Sequence, residues 1–174
     1  MYLILISLPL VSSLCTGLLG RFIGSQGAKV ISVSCMVVST FLSWLVAINV
    51  GFMCVPISIN LGVWVHVDNF LITWGFLFDS LSTMMLIVIS TVSTIVHLYS
   101  CSYMEHDPYI TRFMSYLSLF TFFMMVLVTS DNLIQLFFGW EGVGLCSFLL
   151  INFWSTRIQA NKSAIKAFVL NRFG

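Results

Sequence analysis

Leu133-Ile134-Gln135-Leu136-Phe137-Phe138-Gly139-Trp140-Glu141-Gly142-Val143-Gly144-Leu145-Cys146-Ser147-Phe148-Leu149-Leu150-Ile151-Asn152-Phe153-Trp154 is long enough to cross a bilayer as one helix. It carries one carboxylate, Glu141. Helix rise puts that acid roughly 12–14 Å from the start of the run, near the middle of the hydrocarbon. An acidic residue there costs about 2.5–3.5 kcal/mol on insertion scales. Such an acid points to proton or ion handling; a static ion pair or hydrogen bond is the competing account. Its helical neighbours Ile134, Phe137, Phe138, Gly144, Leu145 and Phe148 offer no counter-charge. A partner is therefore expected from another helix or from water. Gly142 and Cys146 form a small-xxx-small pair, and Gly139 and Gly144 thin the helix further, so close packing beside the acid is expected.

The rest of the chain has the same character. Hydrophobic residues make up 59% and charged residues 7%, too few charges to build a water-facing surface. A net charge of +1 gives no nucleic-acid surface. The five cysteines are scattered without a CxxC pair and read as small apolar packing residues. No basic region precedes the apolar start Met1-Tyr2-Leu3-Ile4, which argues against a cleaved signal or transit peptide.

These features predict an all-α transmembrane fold and a single membrane domain over residues 1–174. Five membrane-spanning helices are expected at about 2–21, 30–52, 81–101, 113–129 and 132–154. Arg21, Lys29, Arg112, Arg157, Lys162 and Lys166 fall on one side of this layout, and Asp68, Asp79 and Asp131 on the other. The positive-inside rule then puts the N-terminus outside and residues 155–166 inside. Between the second and third helices, Ile57, Ile59, Leu61, Val63, Val65 and Val67 alternate with polar or smaller residues. That period of two predicts a short β-hairpin on the outer face at about 55–78, turning at Asp68-Asn69. Asp79 reads as the N-cap of the third helix, with a part in ion movement as the alternative. The tail, about 158–174, is amphipathic and then looks like the start of a sixth helix. It either lies along the interface or enters the membrane.

Soluble-enzyme motifs are absent: there is no P-loop, no dinucleotide-binding glycine pattern and no HExxH. His66 and His106 read as interfacial and solvated. His97 falls inside the third span, where it is either a buried hydrogen-bonded side chain or a proton relay.

Phe138-Gly139-Trp140-Glu141-Gly142-Val143-Gly144-Leu145-Cys146-Ser147, followed by Asn161-Lys162-Ser163-Ala164-Ile165-Lys166-Ala167-Phe168-Val169-Leu170-Asn171-Arg172-Phe173-Gly174, resembles chain 5 of NADH–ubiquinone oxidoreductase. This is an antiporter-like, proton-pumping membrane subunit of respiratory complex I. Trp74-Gly75-Phe76-Leu77-Phe78-Asp79-Ser80-Leu81-Ser82, His97-Leu98-Tyr99-Ser100 and Ser130-Asp131-Asn132-Leu133 carry the same likeness, which spans essentially the whole chain. The resemblance implies that Glu141 is the fifth-helix glutamate of a proton channel and that Arg172 contributes to the channel electrostatics. It implies a lysine partner on a broken seventh helix and a further lysine and histidine chain. NAD, FMN, iron–sulfur clusters and ubiquinone are expected in partner subunits and not in this chain; a bound phospholipid such as cardiolipin is compatible with it. The implied setting is the mitochondrial inner membrane, with the N-terminus toward the intermembrane space and residues 155–166 toward the matrix. The implied partners are other complex I membrane subunits and the bilayer.

The family continues past Gly174 with an aspartate and many more helices. The expectation is a second polypeptide supplying them, or a sequence that is a fragment. Two rival readings stand beside the proton-channel one. One is a structural scaffold remnant, and the other a subunit of a multisubunit cation/proton antiporter, which shares the Gly-Trp-Glu-Gly-Val-Gly motif.

Overall fold

Two apolar segments open the chain, α1 (Tyr2–Leu18) and α2 (Gly20–Met53), parted by Leu19. The computed structural model describes every residue except Cys54, Val55, Asn69 and Gly174. Gly24, at φ 74° and ψ 176°, interrupts α2. A positive φ suits glycine, which has no Cβ to clash. One residue therefore makes the turn, and the long helix resumes about five residues earlier than expected. Then come β1 (Ile57–Val67), β2 (Phe70–Phe78), α3 (Ser80–Tyr103), α4 (Ile110–Val128), α5 (Leu133–Ile151) and α6 (Ile158–Phe173).

Among the described residues, four segments are long and apolar enough to cross a membrane: Gly20–Gly51, Ser80–Tyr103, Ile110–Val128 and Leu133–Ile151. The sequence suggests five. α1 is apolar but has 17 residues, about 26 Å of helix against a hydrocarbon core of about 30 Å.

Inside the bundle, buried hydroxyls sit beside an apolar core, and the outside is apolar. Ser12, Ser39, Ser43, Ser90, Ser118 and His97 are fully buried, while Phe22, Phe41, Met84 and Ile95 face outward. Lipid offers no drive to bury leucine, so small hydroxyl residues line the helix contacts instead. Thr40 meets Thr94, and Ser43 meets Ser90, each at 2.6 Å between α2 and α3. Pro9 in α1 has no N–H for the Leu5 carbonyl. The Ser39 hydroxyl of α2 donates to that carbonyl instead, at 3.3 Å.

β1 and β2 form an antiparallel hairpin from Ile57↔Phe78 to Val67↔Phe70, with irregularities at Asn60/Gly62 and Val63/Val65. The Val55 end of the expected hairpin lies outside the described residues. The period of two sorts β2: Ile72, Phe76 and Phe78 are buried. Phe76 and Phe78 join Leu5, Ile6, Val46, Val50, Leu86, Met125 and Val126 in one apolar cluster. The hairpin thus covers the bundle end that holds Asp68, Asp79 and Asp131. Arg21, Lys29, Arg112, Arg157 and Lys162 gather at the other end.

The α4–α5 link, residues 129–132, is bonded to the hairpin. Leu77 N–H donates to the Thr129 carbonyl at 2.8 Å, and Phe76 pairs with Ser130 as an isolated bridge. Gly75 N–H donates to Gln135 Oε1 at 3.1 Å, and Asn132 Nδ2 donates to the Thr73 carbonyl at 2.7 Å. Trp64, Trp74 and Phe138 stack edge-on, so α5 is held at a fixed depth against the sheet.

Asp79 caps α3 with a reciprocal box: Ser82 N–H donates to Asp79 Oδ1 at 2.7 Å, and Asp79 N–H donates to Ser82 Oγ at 2.9 Å. The Ser82 N–H bond holds the Asp79 carboxyl below its ordinary pKa. A folded pKa below the unfolded one means stability that is full above the unfolded value and lost as pH falls through the folded value. Asp79→Ala is expected to destabilise the chain by about 0.5–2 kcal/mol at neutral pH. The gap should close toward acid, as measured by thermal melts of both proteins in nanodiscs across pH.

Candidate functional site

Glycines decide what can lie beside the middle of α5. A Cβ on Gly139 would come within 2.8 Å of the Leu127 backbone. One on Gly142 would strike the Phe123 ring, and one on Gly144 the Asn171 amide. Bare backbone at 139 and 142 admits α4, and at 144 it admits α6. These are the small positions singled out in the sequence, and the helices do approach there.

α6 runs antiparallel to α5, returning from the 152–157 link toward mid-helix. Ala160, Ala164, Ala167, Phe168 and Asn171 fall on its less exposed face, with Ala164 fully buried. Phe168 packs on Phe148 with ring centroids 5.5 Å apart. Of the two expectations for the tail, this packing selects re-entry beside α5 over a path along the interface. Lys162 and Lys166 are left exposed.

The last turn of α6 brings Arg172 to Glu141, with Nη1 2.7 Å from Oε2. The guanidinium also sits over the Phe168 ring, 4.8 Å from its centroid. From the residues a partner is expected from another helix or from water, while the resemblance gives Arg172 a part in the electrostatics and points to a seventh-helix lysine as the partner. The counter-charge is Arg172 itself. Its signal was the small-residue face of α6, which could turn only toward α5. The Glu141 side chain is 21% exposed and that of Arg172 51%. Both line a cavity of about 590 Å³ with Leu136, Phe137, Trp140, Asn171 and Phe173. One side of the pair is therefore packed and the other open.

The other sequence candidates lie elsewhere. Asp79 is engaged in the α3 cap described above. His97 is fully buried between α1, α3 and α4: its Nδ1 is 2.8 Å from the Ser93 carbonyl and its Nε2 is 3.1 Å from Ser118 Oγ. His66 and His106 are exposed. Cys15, Cys35, Cys101 and Cys146 are free thiols, and Cys146 is buried in α5.

Chemically, the pair is an acid whose charge is balanced by a cation on a separate helix. A nearby cation favours the carboxylate, and moving it away favours the protonated form. The guanidinium stays charged at any accessible pH, so only its position can change.

A family model described as "NADH-Ubiquinone oxidoreductase (complex I), chain 5 N-terminus" matches residues 64–114. A second, described as "NADH:quinone oxidoreductase/Mrp antiporter, TM", matches residues 130–174. NADH-ubiquinone oxidoreductase chain 5 of Chondrus crispus is 54% identical over all 174 residues, that of Marchantia polymorpha 52% and that of Arabidopsis thaliana 51%. This chain spans 26% of the length of each. Among solved structures, an archaeal respiratory membrane complex, the membrane-bound sulfane sulfur reductase, has a chain of similar fold. The TM-score is 0.82 at 21% identity, covering 95% of this chain and 33% of that one. At that identity the likeness is one of fold.

The ion pair should be measurable by a double-mutant cycle of Glu141→Gln and Arg172→Gln, read from thermal melts in nanodiscs. A coupling of roughly 0.5–3 kcal/mol is expected for groups in direct contact. Additive effects would mean the pair contributes no interaction energy.

Proposed function

Since this chain is related along its whole length to the N-terminal portion of NADH-ubiquinone oxidoreductase chain 5, we infer that it is a non-redox membrane component of a proton-translocating NADH:ubiquinone oxidoreductase. The observation that carries this reading is the Glu141–Arg172 pair halfway along α5, 2.7 Å apart and open on one side to a cavity.

In this reading Glu141 holds and releases a proton, and Arg172 sets which it does. The guanidinium in contact balances the carboxylate; when Arg172 swings toward another anion or toward water that balance is lost, and a proton can take its place. The open side of the pair is where the family's seventh-helix lysine is expected to approach. That lysine belongs to the three quarters of the relatives' length beyond this match, whether continuous with this chain or carried on a second polypeptide. The other membrane subunits of the complex would cover the exposed apolar faces, and α1 would serve as a fifth, short span. The concentration of Arg and Lys at the end opposite the hairpin supports an N-terminus on the intermembrane-space side of the mitochondrial inner membrane, with the hairpin outermost and residues 155–166 in the matrix.

A second reading has its own support. The family description that matches residues 130–174, where Glu141 and Arg172 lie, also names Mrp antiporters. A cation/proton antiporter would use the same switch without NADH oxidation. The two differ in coupling: proton movement driven by NADH favours the first, and sodium- or potassium-driven movement without NADH favours the second.

Glu141→Gln is expected to lower NADH-driven proton uptake into vesicles, while the complex still assembles. Removing a positioned proton-transfer group typically costs roughly 100- to 10,000-fold in its step. Normal stoichiometry in an assembled variant would leave the chain as a scaffold.

A further inference from the structure

Away from Glu141, one line of buried polar groups has no role in the reading above. His97 is at 0% exposure, as are Ser12 and Ser118. A backbone carbonyl can only accept, so the 2.8 Å contact between His97 Nδ1 and the Ser93 carbonyl puts a proton on Nδ1. In neutral His97, Nε2 is then an acceptor, and the Ser118 hydroxyl at 3.1 Å donates to it. Ser118 Oγ in turn accepts from the Ser12 hydroxyl at 3.2 Å. Three helices thus share one directional chain, from Ser12 on α1 through Ser118 on α4 to His97 on α3.

One helical turn from the Ser12 end of this chain lies a cavity that Ser12 itself does not line. Near the basic end of the bundle, a space of about 570 Å³ is lined by Thr16, Arg21, Arg112, Ser115 and Tyr116 among others. Thr16 lies one helical turn from Ser12, and its hydroxyl donates to the Ser12 carbonyl at 2.8 Å. Ser115 donates to the Ser13 carbonyl at 2.9 Å, beside the same floor. Hydroxyls one turn apart on a helix are separated by about 5–6 Å, a gap one water can bridge.

We propose that His97 is a second protonatable site of this chain, fed from the cavity between Arg21 and Arg112 through a bridging water, Ser12 and Ser118. An excess proton carried in from the cavity on the bridging water passes to Ser12 Oγ as Ser12 passes its own to Ser118, and the water is left neutral. Ser118 then passes its proton to His97 Nε2, giving an imidazolium that keeps its Nδ1–H bond to Ser93. Each O–H formed replaces one broken, and the positive charge moves from the cavity to the ring. The return step reverses the hydroxyl orientations. The charged groups on the elements packed around His97 are the cations Arg21, Lys29 and Arg112, at the same end as the cavity. Glu105 and Asp107 lie in the α3–α4 link at that end. The titratable neutral groups of these helices are the thiols Cys15, Cys35 and Cys101 and the phenols Tyr2, Tyr99, Tyr103 and Tyr116. None of these groups is bonded to the imidazole, whose hydrogen-bond partners are hydroxyls and one carbonyl. This proposal stands apart from the Glu141 switch, since proton occupancy of the ring can be read without any pumping.

The test is nitrogen NMR of the full chain with labelled histidine, in lipid nanodiscs, from about pH 8 to about pH 5, where histidine titrates. His97→Gln assigns the His97 signals. The expected result is an Nδ1–H neutral ring at the alkaline end that gains a second proton on acidification. Ser118→Ala should slow proton exchange at the ring by roughly a hundredfold, the scale of a positioned proton-transfer group, while keeping the tautomer. Ser118→Thr should restore the exchange, and Ser12→Ala reports on the same route if Ser118→Ala does not fold. A His97 ring that stays neutral down to the acid end of the series would overturn the proposal. So would an exchange rate unchanged by loss of either hydroxyl.

Discussion

A peptide or side-chain polar group in hydrocarbon has no water to bond, so the protein must supply its partner. That requirement shapes this chain more than apolar burial does. The helices expose phenylalanine and methionine outward and meet through serine and threonine. Most of those hydroxyls donate to a carbonyl three or four residues back on their own helix, and a few reach across. The cross-helix bonds are the ones that set position. Ser39 takes up the carbonyl that Pro9 leaves free, Thr40 and Ser43 join α2 to α3, and Ser115 and Ser118 join α4 to α1. α5 is different, because glycine rather than serine governs its contacts. Its carboxylate therefore depends on a cation from α6, delivered by a helix that can approach only because residue 144 has no side chain.

The hairpin and the α5–α6 pair are linked through one rigid path. β2 is bonded to residues 129–132 and to Gln135, and the Trp64–Trp74–Phe138 stack presses on the first turns of α5. Phe138 also packs on Phe123, the ring that faces Gly142. The neighbours of Glu141 on α5 thus meet α4 through Gly139 and Gly142 and the sheet through Phe138, while Glu141 itself carries Arg172 and borders the cavity.

Much of this was legible in the residues. Period two over 57–67 gave the strand, Asp79-Ser80 gave the cap, and the glycines around Glu141 gave the close approach. Four features were not. α1 is shorter than its apolar run, because Leu19 and Gly20 end the helix where hydropathy sees no boundary. Gly24 makes its turn by one torsion, which no composition window detects. The residues asked for a partner of Glu141 on another helix but did not single out Arg172, which is 31 positions away, and the resemblance pointed to a seventh-helix lysine instead. The Ser12–Ser118–His97 line was hidden for the same reason: each hydroxyl alone looks like a packing residue, and only the three-helix contact turns them into a chain.

The sheet edge bears on how such a chain reaches its membrane. Gly75 and its bonding partner Gln135 are 60 residues apart. A ribosome that feeds the bilayer from the N-terminus releases β2 well before α5 exists. Until then the edge that will meet Ser130 and Thr129 has no partner in the growing chain. Closure of the hairpin onto the bundle therefore waits for residues 129–135, the latest-made part of that contact.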